Sequence, residues 1–474
     1  MNLMKFVYFI MDAGFGIGGF SKSVSEMTSS KLDYWSPFIV ENGVKKSYNM
    51  EIRPQSMSVD GPIEFHLAAD PEKFIDISTL TLHGKVGVRV RKNGAWIPVY
   101  SMNPKPESWG VFNNFYQSFC SSIIVKVNDC EIGDIASNSY PYVTYLQTLL
   151  GTSSSQAGNH ILSERGFIKD IPEYMNEAYT TNKDNPFCLR RRNLLENNYV
   201  DFNIPIHNDI VNVEKYLPPN TKLSFTIRRS SDDFLIWKSS DDENEYKIDL
   251  DDLHLTVKML EVSPAVFKNH MKMLKDTGVL KMKFTQNVMK SFAVPTGSTE
   301  LKSHNLFFGN RLPNRVYLAF VEQSAYNGDE KKNPFNFETA GMKEASLIIN
   351  GVSEPNPPYT FEPGVDERDL YFSFLENTGT SAFEMESVNV SFNEFKNGYF
   401  ILPFDRSPTK DNGLYSHKSE GGSITVKVRC QTPINKNFMV LVFASYDSSR
   451  TIVNGLYSHK SVGGRRARLE LKHQ

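Results

Sequence analysis

A chain of 474 residues exceeds the roughly 250–300 at which one hydrophobic core stops growing, so two domains are expected, each large enough for its own core. Hydrophobic residues make up 40%, and 33 Phe and 21 Tyr help bring aromatics to 12%, a composition that excludes disorder and suits strands. A net charge of −2 excludes a global basic field for a polyanion, and the 4 cysteines (Cys120, Cys130, Cys188, Cys430), with no CxxC pair, suggest neither a disulfide framework nor a zinc site.

The chain opens on MNLMKFVYFIM, an apolar run about half a membrane span long, followed by GFGIGGF. Secretion is therefore not expected, and residues 1–54 are expected to form a flexible arm. GFGIGG imitates a dinucleotide loop, but no adequate strand precedes it and no βαβ unit follows.

After residue 60 the dominant signal is alternation with period two. In Thr79–Arg91, Leu80, Leu82, Val86, Val88 and Val90 share one face while Thr81, His83, Lys85, Arg89 and Arg91 share the other, which predicts a half-buried strand. Ile123, Val125 and Val127 repeat the pattern, as do Val200, Phe202, Ile204 and Ile206, then Leu223, Phe225 and Ile227, then Leu253, Leu255, Val257 and Met259. It resumes after residue 280 in RVYLAFV (315–321), SLIIN (346–350), ITVKVRC (424–430) and FMVLVFAS (438–445). The last two are expected to pair across the turn signal QTPINKN.

Two helices are predicted, one over Tyr142–Leu150 between Pro141 and Gly151, the other from Ser263 as N-cap through Pro264 to about Lys275. Two β-rich blocks joined by a short helix favour paired β-sandwiches over an α/β fold, which needs a helix after most strands. Residues 151–199 and 322–345 are expected to be long loops. NGLYSHKSEGG (412–422) returns as NGLYSHKSVGG (454–464), a local duplication whose second copy is expected to be a poorly packed tail.

Chemistry-bearing residues form no recognisable set. Asp232 and Asp233, Asp241, Asp242 and Glu243, and Asp249, Asp251 and Asp252 lack calcium-loop spacing and are expected to be solvated. The 10 histidines show no HExxH, and neither a P-loop nor GxSxG occurs, so no catalytic residue, metal ligand or cofactor is assigned. Basic clusters at 190–192, 228–229 and 465–468 could fork onto phosphates, but the folded domains are not expected to bind nucleic acid, and no membrane partner is assigned.

Several segments resemble the hexon-like major capsid protein of Polinton (Maverick) elements and the related adintoviruses. They are GPIEFHL (61–67), NSYPYVTYLQTLL (138–150), VSPAVFKNH (262–270), NLFFGNRLPNRVYLAFV (305–321), KKNPFNFE (331–338) and NGYFILPFD (397–405). Their order and spacing match over roughly residues 55–447, while the first 50 or so residues and the duplicated end depart from the family. The resemblance implies a double jelly roll that assembles as a pseudo-hexameric homotrimer into an icosahedral shell, with penton and minor capsid proteins as partners. It places the protein in a virion assembled in the host nucleus or cytoplasm.

The expected fold is therefore all-β: two tandem antiparallel β jelly rolls, at 55–258 and 279–447, with a helical linker at 259–278, a few short helices in loops, and a C-terminal tail at 448–474. Phe335 and Phe337, aromatics in a polar, unpatterned loop, are the expected intersubunit contacts. The alternatives are a carbohydrate-binding or carbohydrate-active β-sandwich, which needs a carboxylate pair or calcium site beside exposed Trp or Tyr, and a penton-type minor capsid protein, which needs one roll.

Overall fold

A computed structural model describes residues 42–56, 61–101, 109–135, 138–156, 158, 160–176, 186–277, 279–304, 311–362, 364–378, 388–407, 420–453 and 456–459. The principal strands of the first half are β1 (Val44–Ile52), β2 (Ile63–Leu67), β3 (Phe74–Lys92), β4 (Cys120–Val127), β5 (Cys130–Ile132), β6 (Val200–Pro205), β7 (Leu223–Arg229) and β8 (Tyr246–Val262). Those of the second are β9 (Val279–Val294), β10 (Glu300–His304), β11 (Arg315–Glu322), β12 (Met342–Ile349), β13 (Val352–Thr360), β14 (Ile401–Asp405), β15 (Ile424–Cys430) and β16 (Phe438–Val453).

The predicted alternation is seen directly in β3, where Leu80, Leu82, Val86, Val88 and Val90 are buried while Thr81, His83, Lys85 and Arg89 reach the surface. Gly84 takes one inward place in that row. It lies opposite Phe202 of β6, and a Cβ there would come within 2.8 Å of both Phe202 and Leu253, so the missing side chain is what admits the ring. By contrast, β11 is buried on both faces from Val316 to Val321, which explains its continuous apolar run.

Both halves repeat one topology. The first has sheets ordered β1-β8-β3-β6 and β2-β7-β4-β5, and the second has sheets ordered β9-β16-β11-β14 and β10-β15-β12-β13. Each is therefore first-eighth-third-sixth against second-seventh-fourth-fifth, with every one of these pairings antiparallel, which is the strand order of a jelly roll. This order corrects one expectation. Strands β15 and β16 are consecutive but do not pair; they lie in different sheets, so the QTPINKN connection crosses between layers instead of closing a hairpin.

Further differences concern the boundaries. Val44–Ile52, expected within the arm, pairs along β8, and β16 continues past residue 447 to Val453. From the duplicated segment, Leu456–His459 adds to the end of β16; most of the first copy, the GFGIGG run and residues 465–468 lie outside the described residues.

The longer helices are α1 (Tyr140–Gly151), α2 (Pro186–Glu196), α3 (Pro264–Thr277) and α4 (Glu367–Asn377), alongside shorter ones such as Asp232–Leu235. Helices α1 and α3 occupy the two predicted segments. Helix α2 falls where a loop was expected, and its mixture of Arg, Phe and Leu gives no clean 3.6-residue stripe.

The longest insertions join odd-numbered strands to even-numbered ones: β3 to β4, β5 to β6, and, in the second roll, β13 to β14. Within the first roll these connections bind one another and the connection from β7 to β8. Trp109–Val111 pairs with Ile236–Lys238, and the Arg190 and Arg191 side chains donate to the carbonyls of Val111 and Trp109. The inward residues of both rolls belong to one contiguous hydrophobic core running from Ile52 to Tyr446.

Candidate functional site at the junction of the two rolls

Where the two rolls meet, the contact is aromatic at its centre. Pro141 fits the first turn of α1, where no helical N–H is needed, and the following turns bury Tyr142, Tyr145, Leu146 and Leu149. From the β11–β12 connection of the second roll come Tyr326, Phe335 and Phe337. Tyr142 stacks on Tyr326 at 5.4 Å, Tyr145 stacks on Phe335 at 4.2 Å, and Phe337 meets the Tyr145 ring edge to face at 5.8 Å. Phe234 of the first roll closes the group against Tyr142 and Phe335. Burial pushes the phenols of Tyr142 and Tyr145 well above the ordinary tyrosine range, so both stay neutral.

This arrangement corrects the expectation for Phe335 and Phe337. Both are 0% exposed within a single chain, so neither can touch a second copy unless the protomer opens. They join the rolls of one protomer instead.

A polar network lies beside the rings. The Asp170 carboxylate accepts from Arg190 Nη2 at 2.6 Å on one oxygen and from Asn333 Nδ2 at 3.0 Å on the other, and its main-chain carbonyl accepts from the Tyr399 hydroxyl at 2.8 Å. The first two donors thus come from opposite rolls. Arg190 also donates to the carbonyls of Val111 and Ile168 and lies 4.9 Å over the Phe187 ring. With side chains 1% and 0% exposed, the Arg190–Asp170 pair holds only because these further bonds satisfy both groups. A carboxylate so saturated is neither a free base nor a metal ligand.

Other links tie the same surfaces. Asn333 N donates to Asn176 Oδ1 at 2.9 Å, Asn287 N to Asp209 Oδ1 at 2.9 Å, and Lys238 N to the Glu330 carbonyl at 2.8 Å. Lys169 pairs with Glu394 at 2.7 Å, and desolvation holds its ammonium below the ordinary lysine range despite that partner.

The remaining candidate residues are dispersed. Arg190 and Arg191, read as a possible phosphate fork, are buried in these bonds, while Arg192 is exposed. Asp232 pairs with Arg229, Asp242 accepts from Tyr246 and Asn244, Asp249 pairs with Arg89, and Asp252 pairs with Arg53. Among the described residues, no group of three or more His, Cys, Asp or Glu side chains is placed to hold a metal. No sequence signal marked Asp170 or Asn333, whose partners lie far away along the chain.

No protein-family model matches this chain. An uncharacterized protein of Caenorhabditis elegans is 20% identical over 384 residues, covering 80% of this chain and 88% of that protein. Among solved structures, a chain of the Sputnik virophage is 10% identical with a TM-score of 0.58, covering 96% of this chain and 97% of its own. A chain of the PBCV-1 virus capsid is 8% identical with a TM-score of 0.53, covering 90% and 99%. At such identities the likeness is one of fold, and it extends over both rolls and the junction between them.

Proposed function

We propose that this chain is a major capsid protein, a structural building block without catalytic activity that self-assembles into the shell of a virion. The observation carrying this reading is the tandem pair of complete jelly rolls, joined by a buried junction and alike over nearly its whole length to a chain of a virus capsid. The wide aromatic junction suits a role in which two rolls must keep one relative orientation through assembly. Two rolls also disfavour the penton-type alternative, and ion pairs engage Asp232, Asp249 and Asp252 of the acidic clusters that the carbohydrate reading would draw on.

In finer detail, we read the protein as one of the Polinton and adintovirus group. Its two rolls make three protomers a pseudo-hexagonal tile, and penton and minor capsid proteins complete the shell. Assembly takes place in the host nucleus or cytoplasm.

Mass photometry with negative-stain electron microscopy tests this reading. A species of three times 53.9 kDa with a pseudo-hexagonal outline, or closed shells, is expected. A strict monomer at high concentration would overturn it.

A further inference from the structure

We infer that the first roll carries a phosphate-binding site, in a polar cavity beside the ends of β7 and β4. The inference is independent of the capsid reading. The cavity has a volume of about 540 Å³, and its lining includes Arg228, Arg229, Lys247, Asp232, Ser231 and Asn138.

Successive residues of a regular strand point to opposite faces. Between Arg228 and Arg229, however, the register of β7 against β4 shifts, with Arg228 opposite Ser122 and Arg229 opposite Cys120. An irregularity of this kind re-aims a side chain, and here it lets two consecutive arginines line one cavity. Lys247, near the start of β8, adds a third cation.

The charges do not cancel inside the cavity. Arg229 is anchored, its Nη2 donating to Asp232 Oδ1 at 2.5 Å and to the Ile248 carbonyl at 2.6 Å, which engages the one carboxylate among the described lining residues. Among the described residues, Arg228 and Lys247 form no ion pair, so three cations face one anion. Arg229 Nε is buried without a hydrogen-bond partner, and the Ser231 hydroxyl makes no capping bond to the short helix it precedes. A buried guanidinium N–H without an acceptor is unfavourable, and a multiply charged oxyanion supplies both the acceptor and the missing charge. Phosphate suits guanidinium forks and an ammonium together, and the volume leaves room for an ester group attached to it. Free phosphate and the phosphodiester of a nucleic acid share this chemistry, and competition separates them.

The test is isothermal titration of the full chain with inorganic phosphate at neutral pH, with ionic strength held constant by chloride. Saturable one-site binding is expected. Arg228→Ala combined with Lys247→Ala should weaken it at least about tenfold, while Arg192→Ala, an exposed arginine of α2, leaves it unchanged. Should the alanine pair lower the unfolding midpoint, Arg228→Gln with Lys247→Gln reads the same loss with less change in side-chain bulk. No saturable heat from the wild type, or equal affinity in the folded double variant, overturns the site. Displacement of phosphate by a short oligodeoxythymidylate assigns the site to a nucleic-acid backbone, and persistence of phosphate binding in its presence assigns it to the free ion.

Discussion

Tyr145 and Phe335 lie face to face with ring centroids 4.2 Å apart and planes 12° from parallel, one on the helix inserted between β5 and β6 and the other on the connection between β11 and β12. Each ring belongs to a different roll, so neither roll completes its core at this point without the other. Stacked pairs contribute about 0.5–1.5 kcal/mol beyond the area they bury, and here Tyr142, Phe167, Phe234 and Phe337 surround the pair.

Truncating one ring should therefore destabilise the protomer itself. Phe335→Ala is expected to cost about 3–5 kcal/mol in chemical denaturation, the range for deleting a buried aromatic. Phe335→Ser with Phe337→Ser should unfold the protomer before it loosens any oligomer. A double variant with wild-type unfolding and weaker oligomers would return these residues to a surface role.

Asp170 offers a sharper test, because removing one member of a buried ion pair strands the other. Asp170→Asn should destabilise the protein by about 3–5 kcal/mol. Adding Arg190→Met should recover part of that loss by removing the unpaired guanidinium. If the two substitutions were simply additive in denaturation experiments, the pair would not act as a unit.

Gly84 predicts a steric effect. Gly84→Val pushes new carbon atoms into Phe202 and Leu253, and a loss of about 1–3 kcal/mol is expected. Adding Phe202→Leu should relieve part of the clash. Calorimetric melting of the single and double variants measures both effects.

Acid should weaken the first roll. Burial, reinforced by Arg165, pushes His207 down to about 4, and burial with the stacked His254 also lowers His83. The folded state then binds fewer protons than the unfolded one, whose histidines titrate near 6.5. Stability is complete above about pH 6.5 and declines as the pH falls toward 4. The His207 share is on the order of 2–3 kcal/mol. Replacing His207 with Gln, which keeps a polar group opposite Gln147, should flatten the denaturation midpoint over this window, whereas an unchanged slope would place the titrating group elsewhere.

Alternation in the sequence located β3, β4, β6, β7 and β8, because a sheet with one wet face writes its pleat into residue type. Proline and glycine punctuation located α1 and α3 for a similarly local reason. The helix over 186–196 escaped because its polar residues face protein as well as water. The polar segment around Phe335 and the arginines Arg190 and Arg191 are buried where the sequence suggested contact with partners, since hydrophilic neighbours do not reveal where a chain is covered.

Local pattern, then, determined that this protein is all-β, in two similar blocks with a helix between them, because periodicity, caps and turns act over a few residues. Only the tertiary structure decided that β15 and β16 belong to opposite sheets, that Arg190 meets Asp170 and Asn333 in the interior, and that Phe335 lies on Tyr145. Each of those contacts depends on how distant segments share one enclosed volume, and burial is a property of that volume rather than of any residue within it.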